Sequence, residues 1–277
     1  MSAATLPAVS VILPIYGVEK FLPACLASLQ AQTFTDYELI LVDDCSQDGS
    51  ADVARQALEE FTHPVNTPAK EGISTVEEYL SGEGQRICLI VKARNEGAAQ
   101  ARNTGIRKAS GRYLAFLDAD DVWRKDKLEK EMAFLAQKQA GFVFTAYEFG
   151  DEAAQPTGKV VHVPDRLTYK KALSRTVIFT TTVLFDREKI PQELLQMPDV
   201  PSEDTAMWWQ ILRAGYTAYG LDEVLAVYRR PEKSLSSNKW KAIQRIWNLY
   251  RRQEKLSVAA SAYYFIFWAF RATVRRI

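Results

Sequence analysis

Two apolar segments of the chain each end in a group of aspartates, and the two groups are 75 positions apart. Asp43 and Asp44 follow the run YELILV, and the sequence DADD at 118–121 follows GRYLAFL. In an open α/β sheet, ligands bind outside the carboxyl ends of the strands, and an acid just past a strand points into that crevice. This placement predicts an α/β sheet whose strand ends bind a nucleotide and a metal ion.

Strand and helix periodicities alternate along the first half of the chain. Strands separated by helices at this spacing predict a mostly parallel sheet, flanked by helices, with right-handed crossovers. The stretch 62–84 interrupts the alternation with prolines, glycines and acids, and it predicts a surface insertion. The predicted strands are 9–15, 37–42, 86–91 and 113–117, and the predicted helices are 19–30, 50–61 and 97–109.

The alternation is looser after Asp121. We expect an irregular region that ends at about residue 168, because the chain lacks a clear period there. We also expect a folded body to residue 238 and a separate helical tail at 239–277. In this second half the predicted helices are 125–139 and 202–214, and the predicted strands are 142–148, 179–185 and 224–228.

The tail differs in charge from the rest of the chain. The whole chain has a formal net charge of only +1, but residues 239–277 carry nine Lys or Arg against one Glu. The longest uncharged run of the tail, 256–270, has 15 residues, short of the roughly 20 that span a bilayer. Aromatic and basic residues around this run predict an amphipathic helix in an anionic membrane interface. The alternative is a helical pair that covers the core or forms a homodimer.

The compartment and the class of partner also follow from composition. Three widely spaced cysteines predict free thiols in a reducing compartment. The N-terminal segment has no basic stretch before its apolar run, so it does not resemble a signal peptide. We therefore expect a cytoplasmic protein. Its acidic body and the absence of an RNA-binding motif argue against nucleic acid as a partner.

Asp118 and Asp120 have the D-x-D spacing that suits a hard divalent cation. Magnesium and manganese take one or two protein carboxylates and complete their coordination with water and substrate phosphates. The same residues also fit the D-x-D-x-[TV] motif of haloacid-dehalogenase-like phosphatases, in which the first Asp is phosphorylated. That motif normally lies on the first strand, unlike here. A dinucleotide-dependent dehydrogenase is disfavoured because no G-x-G-x-x-G follows the first strand.

Four segments in register resemble the family-2 glycosyltransferases of the GT-A fold. They are VSVILPIYGVEKFLPACLASLQAQTF, YELILVDDCSQDGS, NEGAAQARNTGIRKASGRYLAFLDADD and SEDTAMWWQILRAG. The chain is most similar to bacterial enzymes of that family that build surface polysaccharide on a lipid diphosphate. The resemblance implies a GT-A catalytic domain at 1–238, with a nucleotide-sugar-binding half at 1–121 and an acceptor-binding half at 122–238.

The resemblance also implies a reaction. It is the inverting, metal-dependent transfer of one sugar at a time from a nucleotide diphosphate sugar, with UDP favoured over dTDP. The implied acceptor is a glycan or lipid-linked oligosaccharide at the inner face of the cytoplasmic membrane, and the implied metal is Mn²⁺ or Mg²⁺. A non-catalytic nucleotide-sugar-binding module is the alternative. It is disfavoured because it would have lost one of the acids, and all of them are present.

The donor site is implied by the same resemblance. The backbone around Pro14 and Tyr16 would hold the nucleobase. The carboxylate of Asp44 would also hold it, with Asp43 beside this contact. Arg102 either neutralises the diphosphate or pairs with a nearby aspartate. The ribose, diphosphate and metal are assigned to Asp118 and Asp120, supported by Asp121.

The acceptor side requires a base that takes the proton from the acceptor hydroxyl. Asp204 matches the catalytic base of the family and follows Glu203; without the resemblance, both acids would be interpreted as the cap of a helix. The matching family segment often reads Y-R-x-H, and here Pro231 replaces the histidine. Any role of that histidine in binding diphosphate or metal is therefore either absent or passed to Arg229 or Arg230. The residues expected to line the acceptor and sugar pockets are Asp121, Thr181, Trp208, Trp209 and Arg229, with at most one of the two tryptophans in contact with sugar.

Overall fold

The chain forms one mixed β-sheet flanked by helices, in a computed structural model that describes residues 6–58, 65–67, 72–80, 85–230 and 239–274. The α/β prediction is confirmed. The strands are β1 (Val9–Ile15), β2 (Tyr37–Asp43), β3 (Val65–Thr67), β4 (Ile73–Leu80), β5 (Arg86–Lys92), β6 (Tyr113–Phe116), β7 (Val122–Trp123), β8 (Phe142–Gly150), β9 (Pro156–Val161), β10 (Arg166–Leu167), β11 (Val183–Asp186) and β12 (Ala218–Arg229). The α-helices are α1 (Leu22–Gln30), α2 (Ser50–Leu58), α3 (Ala98–Lys108), α4 (Lys127–Lys138), α5 (Tyr169–Leu173), α6 (Glu203–Arg213), α7 (Lys239–Asn248) and α8 (Val258–Val274).

The order of the strands brings the two aspartate groups together. Along the sheet the order is β10-β12-β8-β11-β6-β1-β2-β5-β4-β3, with β7 paired to β12 and β9 paired to β8. β1 pairs in parallel with both β2 and β6. The carboxyl ends of β2 and β6 therefore lie on either side of the end of β1, at one edge of the sheet. The parallel pairing continues from β2 to β5 and recurs between β8 and β12, whereas the other pairs are antiparallel.

The centre of the sheet is buried on both faces. Six of the seven residues of β1 and all seven of β2 are buried, which explains why their sequences are continuous apolar runs without alternation. Helix α3 packs closely against β1. A Cβ atom at Gly105 would lie only 2.5 Å from Cγ2 of Ile12, so this position requires a glycine. The close contact fixes α3, and with it Arg102, against the strand that borders both aspartate groups.

The predicted surface insertion at 62–84 is wrong for its described residues. β3 and β4 form an antiparallel extension of the sheet, in which β4 pairs with β5 along most of its length. The acids of β4 obscured this strand, because Glu77 is buried against Arg55 of α2, a partner that the local sequence does not reveal. The rest of this stretch, and the last three residues of the helix predicted at 50–61, lie outside the described residues.

The second half differs from the prediction in three places. The region expected to be irregular up to residue 168 contains β9 and β10, which pair with β8 and β12. The run predicted as a strand at 179–185 begins with a 3₁₀ turn at Thr180–Thr182, and β11 starts only at Val183. β12 starts six residues before the predicted strand, since bulges at Leu221/Val224 and Val224/Ala226 break its period. The other predicted elements are confirmed, with shifts of a few residues at their ends.

The tail forms two helices, as predicted, and these helices pack against the body. α7 and α8 are joined through a π-helical turn, Leu249–Gln253, and Tyr250 of that turn stacks on Trp209 of α6 at 5.3 Å between ring centroids. Within the described ranges no helix is both long and apolar enough to cross a membrane.

Candidate active site

Asp44 is an internal residue at the end of β2. Its carboxylate is buried and accepts a hydrogen bond of 2.6 Å from Nζ of Lys92. It also accepts from the backbone amides of Glu96 and Gly97, at 3.1 and 2.7 Å. Gly97 has a φ of 88° and caps α3, so this carboxylate fixes the loop through which the chain enters that helix.

Asp43 has a free acceptor where Asp44 has none. Its Oδ2 accepts from the backbone amide of Ser46 at 3.2 Å, whereas its Oδ1 is buried and has no hydrogen-bond partner in the described part of the chain. A buried acceptor without a partner costs folding free energy, so such an atom is a natural contact for a donor on a ligand. Of the two adjacent acids, Asp43 is therefore the better placed to accept a hydrogen bond from a nucleobase.

Pro14 and Tyr16 lie at the same edge of the sheet. Pro14 is half-buried in β1, and Ile15 is in register with Asp43. Tyr16 follows the strand and its side chain is 53% exposed. The next residue, Gly17, has a φ of 64°. The turn after β1 thus presents an aromatic ring to solvent, one residue after the position that is in register with Asp43.

Asp118 and Asp120 follow β6 and form a concentrated negative charge. Burial and the neighbouring charge of Asp118 raise the pKa of Asp120 to about 6. A divalent cation would relieve this repulsion, and hard cations prefer such oxygens. The described residues contain no cluster of three or more acids, histidines or cysteines that could hold a metal by itself. The two carboxylates therefore fit a Mg²⁺ or Mn²⁺ ion that takes its remaining ligands from phosphate and water.

Arg102 joins the D-x-D acids to the start of α6. Its Nη2 donates to Oδ1 of Asp118 at 2.5 Å, and its Nη1 donates to Oε1 of Glu203 at 3.0 Å. Burial opposes the charge of this guanidinium, but the charges of Asp118 and Glu203 raise its pKa overall. The structure thus gives the second of the two roles expected for Arg102, the ion pair with a nearby aspartate, and it adds a second carboxylate to that pair.

Of the adjacent acids Glu203 and Asp204, only Asp204 has no ion pair with Arg102 among the described residues. Its Oδ2 accepts from Oγ1 of Thr180 at 3.3 Å, and its Oδ1 accepts from the backbone amide of Thr205. Both acids are in the first turn of α6, where the positive end of the helix dipole favours a carboxylate. Burial and the charge of Asp204 raise the pKa of Glu203. Ser202, just before them, has a left-handed φ of 65°, a strained conformation of the kind found at functional sites.

Asp121 and Thr181 form a support beneath the D-x-D motif. The hydroxyl of Thr181 donates to Oδ2 of Asp121 at 2.7 Å and accepts from the backbone amide of Asp118 at 3.2 Å. The other oxygen of Asp121 accepts from the backbone amide of Arg229. Both side chains are fully buried, and burial together with Asp120 and Asp118 raises the pKa of Asp121. The structure places these two residues where they position Asp118, away from an open acceptor pocket.

Arg229 lies beside the D-x-D motif. Its backbone amide donates to Oδ1 of Asp121, and its strand β12 pairs with β7, which directly follows the motif. Its guanidinium carbon lies 4.8 Å from the ring centroid of Phe21. The side chain is buried, and its Nε and Nη2 have no hydrogen-bond partner among the residues that the structure describes. A buried cation with free donors beside two acids fits an anionic ligand.

Comparison with known proteins identifies the family. A family model described as glycosyl transferase family 2 matches residues 10–189. The chain belongs to this family. It is 38% identical to the putative teichuronic acid biosynthesis glycosyltransferase TuaG of Bacillus subtilis, over 98% of both chains. It is 32% identical to the Escherichia coli UDP-Glc:alpha-D-GlcNAc-diphosphoundecaprenol beta-1,3-glucosyltransferase WfgD, over 87% of this chain and 84% of that protein.

Two solved structures share the fold. The mannosyltransferase PcManGT from Pyrobaculum calidifontis, in complex with GDP-Man and Mn²⁺, has a TM-score of 0.67 at 20% identity and covers 96% of this chain and 70% of its own. TarS 1-349 of S. aureus, in complex with UDP-GlcNAc, has a TM-score of 0.63 at 17% identity and covers 95% of this chain and 71% of its own. The GT-A fold is confirmed, and so is the relation to bacterial surface-polysaccharide enzymes. The family match removes the phosphatase interpretation of Asp118.

The two adjacent tryptophans of α6 pack in the core. Trp208 packs on Phe142 and Phe185, at 5.6 and 5.4 Å between ring centroids, and Trp209 stacks on Tyr250. Both are at least 98% buried, so neither presents an open aromatic face to a sugar. Their helix is apolar on the side that meets the sheet, which is the signal for a core position.

Two residues of the site escaped sequence reasoning. Lys92, which pairs with Asp44, comes at the end of β5, and a lysine that closes an apolar strand was the available signal. Phe21, which stacks under Arg229, precedes α1 and has the pattern of an ordinary apolar helix residue. Neither contact could be inferred without the order of the strands.

Proposed function

We propose that the protein is an inverting, metal-dependent transferase that moves one sugar at a time from a nucleotide diphosphate sugar to a lipid-diphosphate-linked glycan. UDP is the favoured nucleotide, with dTDP as the alternative. The relative WfgD is named for UDP-Glc and for an acceptor on diphosphoundecaprenol, which supports both choices. The observation that carries the proposal is the buried guanidinium of Arg102, which joins Asp118 of the D-x-D motif to Glu203, the residue before Asp204.

The donor would bind along the ends of β1, β2 and β6. The nucleobase would lie at the ring of Tyr16 and the turn after Pro14, with its N–H donor on the free oxygen of Asp43. Asp44 would support the site without contact with the nucleobase, because its carboxylate fixes the loop before α3. Asp118 and Asp120 would hold Mg²⁺ or Mn²⁺, which supplies positive charge for the diphosphate that departs.

Asp204 would act as the general base. It would take the proton of the acceptor hydroxyl as that oxygen bonds to the anomeric carbon and the bond from that carbon to the diphosphate oxygen breaks. A single displacement of this kind inverts the anomeric configuration. The ion pair with Arg102 leaves Glu203 unsuited to this role, because a base must have a carboxylate free to accept a proton. Glu203 would instead position the arginine and shape the start of α6.

Arg229 would bind the diphosphate from the side opposite the metal site. Its unpartnered Nε and Nη2 offer two donors, and stacking on Phe21 fixes the plane of the guanidinium. A fixed arginine fork is well suited to phosphate oxygens. This role would take over the contact that the histidine of the Y-R-x-H segment supplies in other family members.

The reaction would take place at the inner face of the cytoplasmic membrane. A lipid-linked acceptor stays at the bilayer, so the enzyme would approach that surface from the side on which its nucleotide sugar is made. The basic tail supports this location, because anionic lipids attract a cluster of Lys and Arg.

A calorimetric titration against UDP, dTDP, GDP and CDP, each with and without Mn²⁺, tests the donor site. We expect manganese-dependent binding of a uridine or deoxythymidine diphosphate. Asp120→Ala should weaken that binding, whereas Glu152→Ala, which removes an exposed acid outside the site, should leave it unchanged. Failure of the wild-type protein to bind any of the four would contradict the proposed function.

A further inference from the structure

Helix α8 has an unusual pair of faces. Trp268 and Phe265 turn toward the body, where Nε1 of Trp268 donates to Oγ1 of Thr176 at 3.0 Å and Phe265 packs on Trp247 of α7. The opposite face is apolar and lies in solvent. Its large side chains follow at spacings of three and four residues, and their exposed fractions are 59% for Tyr263, 65% for Ile266, 41% for Phe267 and 68% for Phe270.

The exposed stripe, defined as Tyr263, Ile266, Phe267 and Phe270, is not explained by folding. Apolar side chains on a helix normally turn toward the core, and a continuous exposed row of them marks an interaction surface. The row lies along more than two turns of one helix, so a flat partner can contact all four side chains at once. The stripe therefore needs an occupant outside the folded chain.

The charge around the stripe is positive. Arg252, Lys255 and Arg271 are exposed at the two ends of α8. Glu254, the sole acid in the tail sequence, is buried and pairs with Arg213 at 2.8 Å, so it does not offset these cations at the surface. An aromatic stripe with basic residues at its ends is typical of a helix that lies in a membrane interface.

A second copy of the chain is a poorer occupant. A twofold symmetric contact brings the same patch of each subunit together, so the cations of one tail would face the cations of the other. Like charges at an interface oppose association, whereas the anionic head groups of a bilayer attract basic residues. Charge complementarity therefore favours lipid.

We propose that the exposed stripe of α8 docks on an anionic bilayer and thereby sets the acceptor side of the active site at the membrane. The opposite face of the helix holds the segment before Thr180, because Trp268 donates to Thr176, and Arg271 at the flank of the stripe donates to Ser174. Thr180 in turn donates to Asp204. One helix thus contacts the lipid on one side and the approach to the catalytic base on the other. The inference deepens the proposed function, on which its account of the acceptor rests.

Sedimentation with vesicles tests the docking surface. The wild-type protein should sediment with vesicles of phosphatidylglycerol and phosphatidylethanolamine, and much less with vesicles of phosphatidylcholine alone. Ile266→Glu combined with Phe270→Glu should lower the partition onto the anionic vesicles by roughly tenfold or more. Leu6→Glu combined with Leu80→Glu is the matched control, since it places the same charges at exposed apolar residues of the body and should sediment like the wild type.

Binding of UDP and Mn²⁺ by each variant without vesicles separates this inference from the proposed function. The stripe variant should bind UDP and Mn²⁺ like the wild type. If the wild type does not bind UDP, the proposed function is wrong, and the vesicle experiment still tests the docking surface by itself. Sedimentation of the stripe variant like the wild type would overturn the docking surface. So would a wild-type dimer in light scattering that the stripe substitutions convert to a monomer, because the stripe would then be a subunit interface.

Discussion

Asp43 and Asp44 are adjacent in the sequence but have different surroundings. The sequence placed both at a strand end, and that placement is confirmed. The distinction between them depends on Lys92 and on the amides at 96–97, about 50 residues away, which saturate Asp44 and leave Oδ1 of Asp43 without a partner in the described chain. The position of an acid is thus predictable from local pattern, but its free lone pairs are decided by the tertiary contacts.

Substitution of Arg229 should lower the affinity of the protein for the diphosphate of UDP. Arg229→Met removes the charge but keeps the apolar stem on Phe21, so we expect affinity for UDP to fall roughly tenfold to a hundredfold, as a charged hydrogen bond is worth about 1.5–3 kcal/mol. Arg229→Lys should retain part of the wild-type affinity for UDP, because lysine keeps the positive charge. Calorimetry with UDP and with uridine separates the phosphate contact from the base contact.

The neighbouring arginine provides the control for this experiment. Arg230 is exposed and lies over the ring of Phe149, away from the D-x-D acids. Arg230→Met should bind UDP like the wild type. Equal losses of uridine and UDP affinity in Arg229→Met would show a general distortion of the site and contradict a diphosphate contact.

Asp120 makes the effect of manganese depend on pH. The pKa of Asp120 is about 6 in the folded protein, above the ordinary value for an aspartate, so the fold favours the protonated carboxyl. The stability that the protonated carboxyl contributes is fully present below the ordinary pKa and is lost as the pH rises through about 6. A bound cation pairs with the ionised form. The stabilisation by Mn²⁺ should therefore increase as the pH rises through about 6.

Thermal unfolding with and without Mn²⁺, at about pH 5 and about pH 7.5, measures this effect. The shift in melting temperature should be clearly larger at the higher pH in the wild type. In Asp120→Asn it should be small at both. A manganese shift that does not change with pH would argue against Asp120 as a ligand.

At the scale of elements, sequence periodicity located the buried strands and helices well and the edge strands poorly. β1 was predicted at its observed bounds because a strand buried on both faces is a continuous apolar run. β4 was missed because Ser74 and Thr75 are exposed and its two acids break the apolar pattern, although Glu77 is buried and pairs with Arg55. The 3₁₀ turn before β11 was also missed, since its three threonines favour a strand by local propensity. In the fold, the hydroxyls of Thr180 and Thr181 donate to Asp204 and Asp121, and that of Thr182 donates to the carbonyl of Phe179.

The contact between α3 and β1 should be sensitive to a single methyl group. Gly105→Ala would place a Cβ atom 2.5 Å from Cγ2 of Ile12, so the helix must shift. We expect a loss of about 1–3 kcal/mol in the free energy of unfolding, typical of an overpacked core. Transfer activity should also fall, because Arg102 moves with the helix.

A double-mutant cycle checks this contact. Ile12→Ala alone removes a core side chain and should destabilise the protein, but in combination with Gly105→Ala the loss should be smaller than the sum of the two. Urea unfolding gives each free energy. Strict additivity would mean that the close approach of Gly105 and Ile12 does not limit the packing of α3.

At the scale of the whole molecule, the site is assembled by the order of the strands. Pattern and resemblance gave the residues, but only the arrangement β6-β1-β2 puts the two aspartate groups at one edge, and only the return of α6 to that edge brings Glu203 to Arg102. The tail is a second example. Its sequence predicted two helices and a membrane surface, but only the fold shows which residues of α8 turn outward.

The central claim is that Asp204 is the base of an inverting transfer. The most direct measurement compares wild type and Asp204→Asn in two assays on the same preparation, donor binding by calorimetry and sugar transfer to a lipid-diphosphate-linked acceptor. We predict unchanged donor affinity and a loss of transfer of roughly 10²–10⁴-fold, the range for a general base. Asp199→Asn, at an exposed acid nearby, should behave like the wild type. Near-normal transfer by Asp204→Asn would contradict the account.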